Sequence, residues 1–357
     1  MKENEKRFAS LMVLPSTSLL QAVKRMDEVR CKLLLVIEEG RFIGLVSIGD
    51  VQRAIIRNVP LSEAVGSVLR SDIVVCKAGD PESKIRSEML RCRAAFMPLL
   101  SAEGTLSDVV FWEDLFGDED ANRKPNVLDL PVVIMAGGTG TRLRPLTNIL
   151  PKPLLPFGEK TIVETIMDRF VHAGCKKFSL SLNYKAAMIR HYFAELNSPA
   201  YEVSFTEEEK PLGTAGSLSL IANSLKTPFF VSNCDIVIDQ DLDEVWQYHR
   251  SNKNELTIVA ALKHVKLAYG SLITGEDGLL RELSEKPEWV FKVNSGVYIL
   301  EPHLLAMIPD NRFYNMTDLI DAVVKRGGRV GVFPVSEGSW SDIGNWEDYQ
   351  SCLKQDM

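Results

Sequence analysis

The chain has 357 residues, enough for two or three domains, and its 45% hydrophobic and 25% charged composition is that of an ordinary soluble globular protein. The longest apolar runs, such as Leu33–Ile37 and Pro131–Ala136, are far shorter than a membrane span. Met1–Ser10 is charged and lacks the apolar core of a signal peptide, so the sequence predicts a cytoplasmic protein with no membrane partner. The net charge of −7 is spread without a block of one sign, which argues against nucleic acid as a partner, and the six cysteines show no CxxC spacing and read as reduced thiols.

Ahead of residue 117 one pattern is written twice. In the first copy, Ser18–Val29 has helical spacing through Leu19, Ala22, Val23 and Met26. Strands are expected at Lys32–Ile37 and Phe42–Ser47, with a turn at Glu39-Gly40 and a second helix starting near Asp50. In the second copy, Glu82–Arg91 is the helix, Ala94–Leu100 and Leu106–Phe111 are the strands, and Glu103-Gly104 is the turn. Met26 then matches Met89, and Asp50 matches Asp114.

This helix–strand–strand–helix repeat resembles the cystathionine β-synthase (CBS) domain, which occurs as a tandem pair. The resemblance makes Ser47, Asp50 and Asp114 candidate regulatory residues for an adenine nucleotide, and the pair a route to a homo-oligomer. Phe111 stands where the first copy has Ser47, so the second copy lacks that hydroxyl. The plainer alternative is that both aspartates cap helices. The repeats are expected over about 8–60 and 61–117. A polar, turn-rich seam, Gly117–Asn126, begins a linker placed at 118–130.

From residue 131 onward the pattern is alternating strand and helix. Val132–Ala136 is a short apolar run of the kind that forms a buried parallel strand, and Gly137, Gly138 and Gly140 follow at once. Such glycines let backbone N–H groups approach phosphate oxygens, and Arg142 adds a fixed cationic fork. Pro145 and the run Pro151–Pro156 forbid an immediate long helix, which removes a dinucleotide-binding loop, and there is no P-loop lysine motif. Lys152 lies between two prolines expected to hold it extended and to aim its ammonium.

Asp235 falls at the end of the apolar run Phe229–Ile238, and Asp342 lies in Trp340–Tyr349. Two carboxylates with no His or Cys beside them suit a hard ion such as Mg²⁺. Gly213-Thr214-Ala215-Gly216 is a small-residue cluster leading into a helix. A flat base can lie on such a surface while the backbone reads its edge, or Thr214 or Ser217 can cap the helix.

The stretch AGGTGTRLRPLTNILPKPLLPFGEK resembles the opening motif of the sugar-1-phosphate nucleotidyltransferases, and further matches extend the resemblance over 131–357. It implies a Rossmann-like, glycosyltransferase-A type α/β domain of three layers. It implies that Ala136, Gly137, Gly138, Thr139, Gly140 and Thr141 cradle a nucleoside triphosphate, with Arg142, Lys152 and Asp235 catalytic. Asp235 and Asp342 would be the Mg²⁺ ligands. Pro211, Gly213, Thr214 and Ala215 would contact the nucleobase, guanine being favoured by the PLGTAG stretch. Gly270, Glu285, Lys286, Asn294 and Gly296 would hold the sugar 1-phosphate. A CBS pair fused ahead of such a domain resembles the glucosamine-1-phosphate guanylyltransferases of legionaminic acid synthesis. Mannose-1-phosphate guanylyltransferase is the next reading, and a non-catalytic nucleotide sensor is the alternative of another class.

Overall fold

A computed structural model describes residues 7–92, 94–116, 128–196, 198 and 200–355. Contacts divide the chain into two units, Met1–Lys124 and Pro125–Met357. The seam Gly117–Asn126 lies outside the described residues. The linker expected to run to 130 ends earlier. Leu128 and Leu130 are buried in the second unit, and the Leu128 N–H donates to the Ala173 carbonyl at 3.0 Å.

In the first unit, β1 (Met12–Val13), α1 (Leu19–Glu28), β2 (Leu33–Glu38), β3 (Arg41–Ser47) and α2 (Ile48–Ile56) make one copy of the repeat. The second copy is β4 (Cys76–Lys77), α3 (Glu82–Cys92), β5 (Phe96–Leu100), β6 (Leu106–Phe111) and α4 (Trp112–Phe116). Each makes a three-stranded sheet in which the middle strand pairs parallel with the first and antiparallel with the third. The expected helix face is the buried one: Leu19, Ala22, Val23 and Met26 are all inside, as is Met89 in the second copy.

One boundary differs from the sequence reading. The helix expected near Asp50 starts at Ile48, because Ser47 is its N-cap and Asp50 sits at the third helical position, closing a reciprocal capping box.

The second unit is built on a seven-stranded sheet of β7 (Val132–Ala136), β8 (Lys177–Leu182), β9 (Glu202–Glu207), β10 (Phe229–Asn233), β12 (Leu256–Lys266), β15 (Glu288–Leu300) and β16 (Val330–Val335). Between these strands in the chain come the short strand β11 (Ile236–Ile238) and the hairpin of β13 (Ser271–Thr274) and β14 (Leu280–Ser284); β17 (Trp340–Asp342) follows β16. The spatial order is β9-β8-β7-β10-β15-β12-β16, and every strand runs parallel except β15.

Consecutive residues Val132, Val133 and Ile134 are all buried, because helices cover both faces of the sheet. One such helix, α5 (Ile162–His172), brings Phe170 against Phe178 and Phe230 edge-on. On the other face Val133, Phe229, Val231 and Tyr298 pack with Leu319 and Val323 of a later helix, Met316–Lys325. The chain leaves β7 toward β8 and β9, then returns to its other side at β10. This reversal is a topological switch point, and ligands in open α/β sheets bind beyond the carboxyl ends of strands at such a point. Among the described residues, no helix is long and apolar enough to cross a membrane.

Candidate active site

The glycine loop leaves the carboxyl end of β7. Gly140 takes a left-handed backbone (φ 63°), and a β-carbon there would lie 2.8 Å from the Thr147 methyl. The loop is tied down by the Thr147 hydroxyl, which donates to the Gly140 carbonyl at 2.9 Å. Tyr184 in turn donates its hydroxyl to the Thr147 carbonyl at 3.0 Å. Gly138, Thr139, Thr141 and Arg142 remain exposed, while Ala136 is buried at the strand end.

Lys152 is not in extended backbone. It opens a single 3-10 turn, Lys152–Leu154, with extended Pro151 as the N-cap and Pro153 second. Proline is tolerated there because the first N–H groups of a helical turn have no internal partner to lose. The lysine is 7% exposed and its ammonium pairs with the Asp235 carboxylate.

Asp235 sits in the turn between β10 and β11, and its carbonyl accepts the Ile343 N–H at 2.8 Å. The ribbon of β11 and β17 then fixes Asp342 beside it, because antiparallel register sets Asp342 opposite Ile236. Asp342 Oδ1 is buried without a hydrogen-bond partner. Burial raises this carboxyl above its ordinary range and the Asp235 charge adds to that, while Lys152 and Arg142 oppose it. Gly344 makes room for this meeting. A β-carbon there would fall 2.5 Å from Asp342 Oδ1 and 2.8 Å from Arg142 Nη2.

Four of the expected residues, Arg142, Lys152, Asp235 and Asp342, are therefore one electrostatic cluster. The donor set is all hard oxygen, and one oxygen is orphaned in a buried position, which fits a Mg²⁺-like ion. Among the described residues no group of three or more His, Cys, Asp or Glu could hold a metal. Such an ion would complete its shell from phosphate oxygens and water.

The Gly213–Gly216 stretch forms the expected helical turn, with a correction. Neither Thr214 nor Ser217 caps it. The Thr214 hydroxyl accepts the Met316 N–H at 2.9 Å instead. Ala215 is fully buried and its N–H donates to the Tyr314 carbonyl at 3.0 Å, alongside Gly216 at 2.8 Å, so these amides are not open to read a base edge. Tyr314 O also lies 2.7 Å from where a Gly213 β-carbon would sit, which is why position 213 is glycine. Pro211 and Thr214 stay exposed.

The sugar-side residues fall in two groups. Gly270 meets Glu285 at the foot of the β13–β14 hairpin, where a β-carbon on Gly270 would be 3.2 Å from Glu285 Oε2; Lys286 follows with a positive φ of 45°. Asn294 accepts the Gly296 N–H at 3.1 Å. Gly296 (φ 89°) lies against the Asn233 side chain, two residues ahead of Asp235.

The sequence reading missed two residues here, Asn233 and Glu208. Glu208 is 8% exposed and accepts from the Ser181 hydroxyl at 2.8 Å and the Leu212 N–H at 2.9 Å. A β-carbon on Gly137 would lie 2.9 Å from its Oε1. The signal available was its place five residues ahead of Gly213 in an acidic run.

In the first unit, Asp50 is 3% exposed and fully engaged. Its Oδ2 accepts the Ser47 N–H at 2.8 Å and hydroxyl at 2.6 Å, and its Oδ1 pairs with Arg53 and, at 2.8 Å, Arg70. Asp114 repeats the arrangement, accepting the Phe111 N–H at 3.2 Å and pairing with Arg7 at 3.2 Å.

A Rossmann-like sheet, a glycine loop at its switch strand and an acid pair beside a buried lysine define a nucleotidyltransferase fold. Comparison with known families agrees: residues 131–357 match the nucleotidyl transferase family and residues 9–57 match the CBS domain. The chain belongs to the nucleotidyl transferase family and carries a CBS domain ahead of it.

Among curated proteins, it is 35% identical over 229 residues to mannose-1-phosphate guanylyltransferase catalytic subunit beta of Drosophila pseudoobscura pseudoobscura, covering 62% of this chain and 61% of that protein. It is 33% identical over 234 residues to the mannose-1-phosphate guanyltransferase of Pichia angusta, covering 62% and 63%. The chain thus spans about three-fifths of the length of these relatives. HddC from Yersinia pseudotuberculosis, solved also in complex with GMP-PN, is similar in structure, with a TM-score of 0.51 in both cases. The identities are 28% and 27%, over 63% of this chain and 99% of that one.

Proposed function

We propose that the chain transfers GMP from GTP to a sugar 1-phosphate, giving a GDP-sugar and pyrophosphate. The observation that carries this reading is the ion pair of buried Lys152 with half-buried Asp235 beside the unpartnered Asp342 oxygen, facing a glycine loop at the switch strand. In the reaction a phosphate oxygen of the sugar 1-phosphate attacks the α-phosphorus, and the bond to the departing pyrophosphate breaks in line. The nucleophile is already ionised at neutral pH, so no general base is required. The work left to the protein is positioning and charge stabilisation.

The exposed loop Gly138–Thr141 is suited to hold the polyphosphate, with Arg142 as its cation. Lys152 is suited to neutralise charge growing on the α-phosphate. Mg²⁺, held by Asp235 and Asp342, would supply Lewis-acid charge neutralisation on the phosphates when bound. Glu285 and Lys286, with Gly270, form one candidate sugar-phosphate group, and Asn294 with Gly296 the other.

Guanine is favoured by Glu208, a carboxylate that can only accept, set between the glycine loop and Leu212. Guanine offers two adjacent N–H donors on one edge, whereas uracil and thymine offer one donor flanked by acceptors. A carboxylate therefore matches guanine best. The named relatives, guanylyltransferases, support the same base. For the sugar, the CBS fusion favours glucosamine 1-phosphate, and the names of those relatives favour mannose 1-phosphate as the second reading.

Pyrophosphate release from a panel of four nucleoside triphosphates against both sugar phosphates is the test. GTP is expected to lead by at least about tenfold, and E208Q to shrink that lead. Equal use of UTP or dTTP by the natural enzyme removes the guanine assignment. No turnover with any pair leaves a binding module as the reading.

A further inference from the structure

The step Asn183-Tyr184-Lys185 leaves the carboxyl end of β8, the neighbour of β7, and the helix Ala186–Leu196 follows it. Lys185 takes a left-handed backbone, with φ 53°. A residue with a β-carbon is strained there, and such strain persists where surrounding contacts hold it, most often at functional sites. Here the contacts are specific. The Lys185 ammonium donates to the carbonyls of Asn148 and Ile149, each at 2.6 Å, beside the Thr147 carbonyl held by the Tyr184 hydroxyl. These three carbonyls close the short helix Leu146–Ile149, and the last carbonyls of a helix need partners from outside it. The Tyr184 N–H also donates to the Gly137 carbonyl at 3.4 Å. The pair therefore grips the glycine loop at its start and the chain beyond it at 147–149.

We propose that Lys185, with Tyr184, is a positioning residue that sets Lys152 against the polyphosphate loop, a role that rests on the transfer reaction proposed above. Only Leu150 and Pro151 separate Ile149 from Lys152, so holding the Ile149 carbonyl fixes where the Lys152 turn begins. That turn and the loop are in close contact, since a β-carbon on Gly140 would lie 3.1 Å from the Lys152 β-carbon. A shift of Asn148 and Ile149 would carry both Thr147 and Lys152 with it. Lysine suits the task because one ammonium has donors enough for two carbonyls. The benefit is geometric. Displacing a charge-stabilising group by about 1 Å can cost up to about 100-fold in rate, with little loss of ground-state binding.

Lys185→Asn is the first variant, because asparagine accepts the left-handed backbone more readily than lysine and lacks the ammonium. Its thermal midpoint is expected to hold or rise while kcat falls by at least about tenfold and the KM for sugar phosphate stays within about twofold. A residue serving stability alone would lose midpoint and rate together. Lys185→Arg keeps donors for both carbonyls and is expected to recover most of the rate. In a Lys152→Ala background, Lys185→Asn is expected to lower kcat no further, since its effect runs through that lysine. Hydrogen exchange without substrate gives a readout independent of turnover. The amides of Leu150, Leu154 and Leu155, all hydrogen-bonded within this segment, are expected to exchange about tenfold faster in Lys185→Asn than in the natural chain. If the natural chain turns over no substrate pair, the transfer reading falls, and quickened exchange at these amides still upholds the clamp. Unchanged exchange overturns the proposal. So does a kcat within about twofold of the natural value, or a loss of equal size in the Lys152→Ala background.

Discussion

Asp50 is buried and the pair Asp235–Asp342 half-buried, each beside cations, and they differ in how their oxygens are used. Asp50 has both oxygens taken by its own capping box and by two arginines, all from its own unit. In the second unit, Asp235 pairs with one lysine while Asp342 keeps one buried oxygen without a partner. A buried polar atom left unpaired costs free energy. Where the chain tolerates that cost next to a glycine loop, a ligand is the compensating partner. Where every lone pair is filled, a structural role suffices.

The largest test of this contrast is in the second unit. Lys152→Ala and Asp235→Ala are each expected to lower turnover by about 100-fold or more in steady-state assays, with the fold retained by circular dichroism. Near-normal rates in either variant would move that residue out of the site. The matching change in the first unit, Asp50→Ala, is expected to act on stability instead. Loss of the cap and of the Arg53 and Arg70 pairing should lower the urea midpoint by the equivalent of about 1–3 kcal/mol, while turnover stays within about twofold. If D50A instead keeps its stability and abolishes a response to AMP or ATP, the acid is a ligand residue and the contrast fails.

A finer test concerns the Thr214 hydroxyl, which holds the Met316 N–H. Thr214→Val leaves that buried donor unpaired and is expected to raise the KM for nucleotide several-fold with little change in the KM for sugar phosphate. Thr214→Ser should restore it. Parallel changes in both constants would mean general destabilisation.

The smallest effect separates the interior from the surface by thiol chemistry. Burial pushes Cys175 and Cys234 up to about 12, so the folded enzyme at pH 8 should leave both unalkylated by iodoacetamide over an hour. Mass spectrometry would detect any labelling.

Local pattern carried some of these features and could not carry others. The strand Val132–Ala136 ran as read because an unbroken apolar run bounded by glycines has few other solutions. Lys152 and Asp235 were legible because a proline-fixed and an apolar setting are out of place for a solvated charge, whereas Arg142 was read from its place after the glycine loop and Asp342 from the family resemblance. The backbone of Lys152 was misread, since Pro-Lys-Pro suits either extended chain or the start of a 3-10 turn, and local sequence does not choose between them.

The engagement of the Ala215 amide was not legible, for a longer-range reason. Its N–H is claimed by Tyr314, about a hundred residues on, and such backbone pairing leaves no trace in a local window. The same holds for Glu208, whose partners Ser181 and Leu212 come from different segments, and for Asn233, whose neighbour Gly296 arrives on the antiparallel strand β15.

The β11–β17 ribbon has a consequence for the order of folding. Asp235 and Asp342 are about a hundred residues apart and are joined by a pairing of only three residues. Closing so long a loop for so short a ladder comes late, after the parallel sheet has formed. A chain emerging from the ribosome would thus display its glycine loop and Lys152 well before the second carboxylate arrives. On this account the glycine loop and lysine are set in place first, and the second acid joins the cluster last.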